Sequence, residues 1–201
     1  MIETLISQIA ATSALEWGAA LTGFACVWLT VREHMACWPT GLVSAALYVV
    51  VFFKSRLYAD MGLQGVFIAL QIYGWLAWAR GDDDHEPLVV SRTPPRTRLA
   101  LLAMFAAGTA LLAHTLYRYT DASLPWVDST QTVMSLIAQY LLSFKRIENW
   151  MLWIVVDVIS IWMYQYKALY LTAVLYAVFL CLAVQGLRRW QRVLAAVEDT
   201  P

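Results

Sequence analysis

The chain has 201 residues, of which 61% are hydrophobic and only 14% charged. A water-soluble domain of that length needs far more polar surface, so the composition points to an integral membrane protein. Lysine plus arginine and aspartate plus glutamate both number 14, which leaves no net charge to attract nucleic acid.

Seven apolar segments are predicted as membrane helices, at about 15–31, 39–53, 63–78, 99–116, 131–143, 150–166 and 169–187. Several are shorter than the ~20 residues that span an average bilayer. Trp38, Trp78, Trp150 and Trp190 fall at their ends and read as interfacial anchors, while Lys54 and Arg56 are placed to snorkel. The opening MIETLISQIA has no basic n-region and reads as no cleavable leader. Cys26, Cys37 and Cys181 match no metal or redox spacing and read as packing residues. Residues 79–98 form the one clear linker. Its acidic run, Asp82 to Asp84 with His85 and Glu86, reads as a solvated stretch rather than a metal site.

Charge placement predicts the orientation. Ten of the 14 basic residues fall in the loops after the first, third and fifth segments or at the C-terminus, so those loops are expected on the cytoplasmic side. The N-terminus is then outside and the C-terminus inside.

The strongest architectural signal is an internal repeat. A shift of 112 residues superposes Trp38 on Trp150, Leu57-Tyr58 on Leu169-Tyr170, Phe67 on Phe179, Gly74 on Gly186 and Trp78 on Trp190. Each repeat holds three helices, 15–78 and 127–190. An odd unit ends on the side opposite its start, so one connecting helix, 99–116, is needed to bring the second copy in with the same orientation. The expected fold is an all-α integral membrane domain of seven transmembrane helices in a 3+1+3 plan. Its parallel repeats are an arrangement used by SWEET-like transporters.

The intramembrane polar residues break this repeat. Asp157 falls on Ala45, Gln64 on Tyr176, Gln71 on Ala183, Ser135 on Gly23 and Gln139 on Val27. A polar group kept in one half serves something other than the shared scaffold, so a single asymmetric site is expected. Helical spacing places Gln64, Gln71, Trp75 and Trp78 on one face of the third segment. It places Gln131, Ser135, Gln139 and Ser143 in a stripe on the fifth, and Trp150, Trp153, Asp157, Ser160 and Tyr164 along the sixth. Interhelical hydrogen bonding accounts for small polar residues such as Ser135, Ser143 and Ser160 at about 0.6 kcal/mol per pair. An intramembrane carboxylate costs roughly 2.5–3.5 kcal/mol on insertion scales and usually marks a pathway. Trp153 replaces Gly41 in the repeat and points with Asp157, and an indole face holds a cation by ~2 kcal/mol or more once water is excluded. Tryptophan faces with one carboxylate suit a flat, cationic aromatic solute.

Absent motifs narrow the classes. No Walker A sequence, H-E-x-x-H or G-x-S-x-G occurs, and His34, His85 and His114 are scattered, so neither an ATP-driven pump nor a membrane hydrolase is indicated. Lys54, Lys145 and Lys167 fall in predicted loops, which excludes a retinal protein. No enzyme and no cofactor is expected.

W-P-x-G-L at Trp38–Leu42, L-Y-A-D at Leu57–Asp60, Q-I-Y-G-W at Gln71–Trp75, E-N-W-x-x-W-x-x-x-D at Glu148–Asp157 and K-x-L-Y-x-T-x-x-L-Y at Lys167–Tyr176 resemble the PnuC family of vitamin transporters. The resemblance covers nearly the whole chain from Trp17 to Trp190 outside the linker. It implies a SWEET-like homotrimer in a bacterial inner membrane that takes up nicotinamide riboside by facilitated diffusion, the solute being trapped by cytoplasmic phosphorylation. It also implies Gln64, Gln71, Trp150, Trp153 and Asp157 as substrate-binding residues; spacing adds Trp75 and Gln139. Many nicotinamide riboside members resemble this chain except for Asn at the position of Asp157, where thiamine-transporting relatives often have Asp. Both vitamins are therefore expected candidates. A neutral riboflavin-type solute would do less to offset burial of Asp157.

Overall fold

The computed structural model describes residues 2–54, 56, 58–81, 86–120 and 123–198, and over these it is helical apart from turns, the irregular stretch 86–94 and one isolated parallel bridge, Ser91 to Arg146. Leu57 and the acidic run Asp82 to Asp84 with His85 lie outside the described residues. Eight helices form: α1 (Ile2–Ala11), α2 (Ala14–Val31), α3 (Cys37–Lys54), α4 (Tyr58–Arg80), α5 (Pro95–Tyr119), α6 (Pro125–Ser143), α7 (Glu148–Tyr166) and α8 (Tyr170–Glu198).

Helices α2 to α8 overlie the predicted segments, and α1 has no counterpart among them. Its ten residues include Glu3, Thr4, Ser7 and Gln8, so no apolar run marks it, and it is too short to cross a bilayer. It packs on α8, where the Gln8 amide donates to the Ala168 carbonyl at 2.8 Å and accepts the Leu171 N–H at 3.1 Å. That satisfies an orphan donor at the start of α8. A capping box starts α2: Ser13 Oγ accepts the Glu16 N–H, and Glu16 Oε2 accepts the Ser13 N–H at 2.7 Å. Lys54 is the last residue of α3 rather than a loop residue, and Cys181 is exposed rather than packed.

Among the described residues five helices, α2, α3, α4, α5 and α8, are long and apolar enough to cross a membrane. Helices α6 and α7 reach 19 residues each, and their polar content keeps them out of that group. They are also the helices with the most buried polar side chains.

Helices α2, α3 and α4 pack consecutively, as do α6, α7 and α8, and α5 lies on α6. The two groups meet through α2 on α8 and α4 on α6, whereas α3 and α7 do not pack on each other. Each helix of the second group begins 111 or 112 residues after its counterpart in the first. The backbone carries the same spacing. Four non-glycine residues have left-handed φ, Glu33 (55°), Arg56 (59°), Lys145 (49°) and Ala168 (56°), and they pair at 33/145 and 56/168. Each ends the turn after a helix, where that conformation lets the chain reverse within a few residues.

The four tryptophans expected at the membrane interface are instead buried inside the bundles. Trp38 lies over Gly74 and makes an edge-to-face contact with Trp78, centroids 5.3 Å apart at 86°. Trp150 lies over Gly186 and meets Trp190 in the same way, at 5.5 Å and 89°. Glycine removes the Cβ that would otherwise stand where each indole sits. The packing energy available there, with an added ~0.5–1.5 kcal/mol per aromatic pair, outweighs interfacial placement.

Part of the linker is docked rather than solvated. Val90 and Thr93 are buried, Ser91 N–H donates to the Lys145 carbonyl at 3.2 Å, and Ile147 N–H donates to the Ser91 carbonyl at 3.0 Å. Arg146 donates to Ser91 Oγ at 2.7 Å, and Thr93 donates through its amide and hydroxyl to Glu148. Burial pushes the Glu148 carboxyl up, but the Thr93 hydrogen bonds and Arg98 at 2.8 Å outweigh it and hold it below the ordinary glutamate range. This stabilisation is complete above the ordinary glutamate pKa, about 4.3, and is lost as pH falls through the lowered folded value. Glu148→Gln is expected to release the strap and speed tryptic cleavage at Arg92 or Arg96 by about tenfold, as a lost charged hydrogen bond would. Unchanged cleavage would mean that the Ser91 contacts alone hold the strap.

Candidate functional site

Buried polar groups concentrate on α6 and α7. Ser129, Ser135, Gln139 and Ser143 are buried on α6, and Asn149, Asp157 and Ser160 on α7. The α6 stripe does not stay on one face. Steps of four residues advance 40° beyond a full turn, so the stripe winds as it descends. At Gln131 it faces α7, where Nε2 donates to Ser160 Oγ at 2.6 Å. At Ser143 it faces α4, with the hydroxyl over Gly74. Gln139, between them, is 4% exposed with its Nε2 unpartnered, and its carbonyl accepts the Ser143 hydroxyl at 3.1 Å.

Asp157 is 3% exposed, and it forms no hydrogen bond or ion pair among the described residues. Burial without a partner makes the charged form of this carboxyl costly, so a cation brought beside it is strongly favoured. Trp153, one turn earlier on α7, is half-buried against the core that includes Ala183. Toward the other end of α7, Tyr164 stacks on Tyr176 of α8 at 5.3 Å and 24°, and Tyr176 meets Phe179 edge-on. No local pattern in the sequence marks Tyr176 as a partner of α7; only the packing of α7 on α8 does.

The other predicted residues are placed differently. The Gln71 amide lies directly on Gly41 of α3 and beside Cys26 of α2, wedged within the first bundle. Under the 112-residue shift Gly41 corresponds to Trp153 and Gln71 to Ala183, so bulk is traded between neighbouring helices in the two halves. Gln64 is half-buried nearer the start of α4. Trp75 is 38% exposed and does not join Trp78, which is buried with its Nε1 donating to the Leu142 carbonyl at 3.2 Å. The shared face expected for these four residues is thus split. Trp150 is part of the tryptophan–glycine packing of the scaffold, with its indole N–H unpartnered.

A second feature lies where the two halves meet. Lys145 Nζ is 3.1 Å from Glu33 Oε2 and 4.6 Å from the Trp78 ring centroid. Glu33 and Lys145 occupy the same position in the two halves, at the α2–α3 and α6–α7 turns.

A family model described as the nicotinamide mononucleotide transporter matches residues 13–192. The nicotinamide riboside transporter PnuC of Escherichia coli is 29% identical over 206 aligned positions, covering 89% of this chain and 85% of that protein. The riboflavin/roseoflavin transporter RibM of Streptomyces davaonensis is 27% identical, covering 81% of this chain and 77% of that one. A solved structure, the crystal structure of the vitamin B3 transporter PnuC, superposes with a TM-score of 0.72 at 27% identity, covering 97% of this chain and 90% of that chain. With the polar seam of α6 and α7 set in an otherwise apolar bundle, this places the chain in the nicotinamide mononucleotide transporter family, whose members are multi-pass membrane transporters and not enzymes.

Proposed function

We propose that the protein imports nicotinamide riboside across a bacterial inner membrane by facilitated diffusion. The observation that carries this reading is Asp157, a buried carboxylate with no counter-charge beside an aromatic face, in a chain similar to nicotinamide riboside transporters. A cationic heteroaromatic solute supplies the missing charge, and Trp153 supplies a stacking surface. Thiamine is the second reading, favoured by the same carboxylate because it too is a cationic heteroaromatic. Gln139, Gln64 and Gln71 line the solute's polar edge in this scheme, Trp150 supports Trp153 from the scaffold, and Trp75 is a further contact on α4.

In this reading α2–α4 and α6–α8 are two parallel three-helix repeats joined by α5, a SWEET-like 3+1+3 plan with seven spans, assembled as a homotrimer. The matched tryptophan–glycine contacts and paired left-handed residues support the two repeats. The N-terminus is outside and the C-terminus cytoplasmic, which puts the Glu33–Lys145 pair on the cytoplasmic side. Rocking of the bundles exposes the site alternately. A monovalent cation gains about 2.3 kcal/mol per 100 mV on moving to a negative interior, so no coupling ion is needed, and phosphorylation inside traps the solute.

Binding of nicotinamide riboside, thiamine and riboflavin to purified protein, followed by counterflow in proteoliposomes, tests the reading. Absence of saturable binding by all three would sink it. The Glu33–Lys145 pair closes the cytoplasmic end of the path, so Lys145→Met is expected to leave vitamin binding within about twofold. It should change the counterflow rate by about tenfold, the effect of a ~1.4 kcal/mol shift between facing states. The exchange Glu33→Lys with Lys145→Glu should restore the rate. Parallel loss of binding and transport would make the pair structural only.

A further inference from the structure

We infer that Gln131 is a specificity-determining residue that presents the solute with a hydrogen-bond acceptor only, and that Ser160 is the positioning residue that turns it that way. The inference rests on the reading above, in which the solute is a vitamin with a cationic aromatic head.

Ser160 is fully buried, and its hydroxyl donates to the Val156 carbonyl at 2.7 Å, one turn back on α7. A serine hydroxyl has a single hydrogen, so Ser160 Oγ is left able only to accept. With that hydrogen on Val156, the Gln131 atom 2.6 Å from Ser160 Oγ is the amide nitrogen, and the amide group takes its orientation from this bond. Its oxygen, Oε1, is turned away from Ser160 and is buried with no donor among the described residues. Interhelical packing alone would need only the nitrogen end. A buried acceptor left unpaired is costly, so a donor arriving with the solute accounts for it.

The surroundings define that donor. Ser160 lies one turn beyond Asp157 on the same side of α7, and with a cationic solute beside it Asp157 is a carboxylate, so Gln131 Oε1 and Asp157 both present acceptors to that part of the seam. On α6 the next fully enclosed side-chain atom without a partner among the described residues is a donor, Gln139 Nε2, eight residues on, or about 12 Å of helix rise away. The seam thus offers acceptors at one end and a donor at the other. It suits a solute whose charged ring bears an N–H group, such as the carboxamide of a pyridinium nucleoside or the exocyclic amine of an aminopyrimidine, with hydroxyls toward the far end. A ring carboxylate in the same place would face two acceptors and be refused.

The test compares nicotinamide riboside with nicotinic acid riboside, in which a carboxylate replaces the carboxamide, on the wild-type protein and on Gln131→Leu and Ser160→Ala. The wild type is expected to prefer the amide by about 100-fold or more. Gln131→Leu should cut that preference by about tenfold, mainly through weaker amide binding. Ser160→Ala, which touches no solute, should also reduce it, because the freed glutamine amide then rotates to offer its nitrogen to the carboxylate. The ratio is taken within one protein sample, so any misfolded fraction cancels. An unchanged ratio in both variants, whether or not both affinities fall, would overturn the assignment. If the wild type takes thiamine instead, the same ratio is read against an analogue lacking the exocyclic amine. If the wild type takes no vitamin at all, the transport reading fails first and this assignment with it.

Discussion

Asp157→Ala is expected to weaken binding of nicotinamide riboside and thiamine by about 30-fold or more, and to raise the melting temperature of the purified, vitamin-free protein. Both effects come from one environment: a carboxylate that is 3% exposed with neither donor nor cation beside it. Removing one partner of a buried charge pair costs about 2–5 kcal/mol of binding, which sets the lower bound on the affinity loss. Without solute the same carboxylate is a liability of roughly 2.5–3.5 kcal/mol on insertion scales. Its removal should therefore raise the melting temperature by roughly 5 °C. The opposite signs are diagnostic, because a structural aspartate loses stability when truncated and a binding aspartate gains it. Asp157→Asn separates charge from hydrogen bonding and should weaken thiamine more than nicotinamide riboside. Calorimetric titration and thermal unfolding in detergent, with and without vitamin, read both quantities. A lower melting temperature with unchanged binding would remove Asp157 from the site.

Gly74→Ala and Gly186→Ala should each destabilise the protein by about 1–3 kcal/mol, and by similar amounts, through overpacking. A Cβ at Gly74 would run into the Trp38 ring, and one at Gly186 into the Trp150 ring. Neither indole has room to retreat, because each is held edge-on by a second buried tryptophan, Trp78 or Trp190. Gly62 and Gly65 on the same helix as Gly74 have nothing within 4 Å of a would-be Cβ. Alanine there should be neutral or stabilising by up to about 1 kcal/mol through helix propensity alone. Unfolding measured for the four single variants decides this. If only one of the two tryptophan contacts proves sensitive, the halves are not packed by a common device. If Gly62→Ala is as harmful as Gly74→Ala, that face of α4 is covered by something beyond this chain.

Much of the helical layout was legible because membrane segments announce themselves by apolar runs, and a duplicated spacing leaves matched residues such as Trp38/Trp150 and Gly74/Gly186. The same logic missed α1, which is short and polar and held by Gln8 at the α7–α8 turn. It also missed the docking of Ser91 and Thr93, since a strap of a few residues has no periodicity to detect. Within the candidate site, Asp157 was visible as an ionisable group in an apolar segment. Trp75 and Trp78 were grouped by spacing, yet Trp75 is exposed and Trp78 bonds the Leu142 carbonyl. Helical spacing says which residues share a side, and it does not say which neighbour that side meets.

By itself the sequence determined the class, the helical segments and the spacing between their two sets, because each depends on composition or on contacts along the chain. Tertiary structure alone decided which tryptophans are core, since an indole suits an interface and an interior equally and only the opposing Gly74 and Gly186 settle the matter. It alone decided where the Gln71 and Gln131 amides point, because a long side chain takes its direction from partners on other helices, Gly41 in one case and Ser160 in the other.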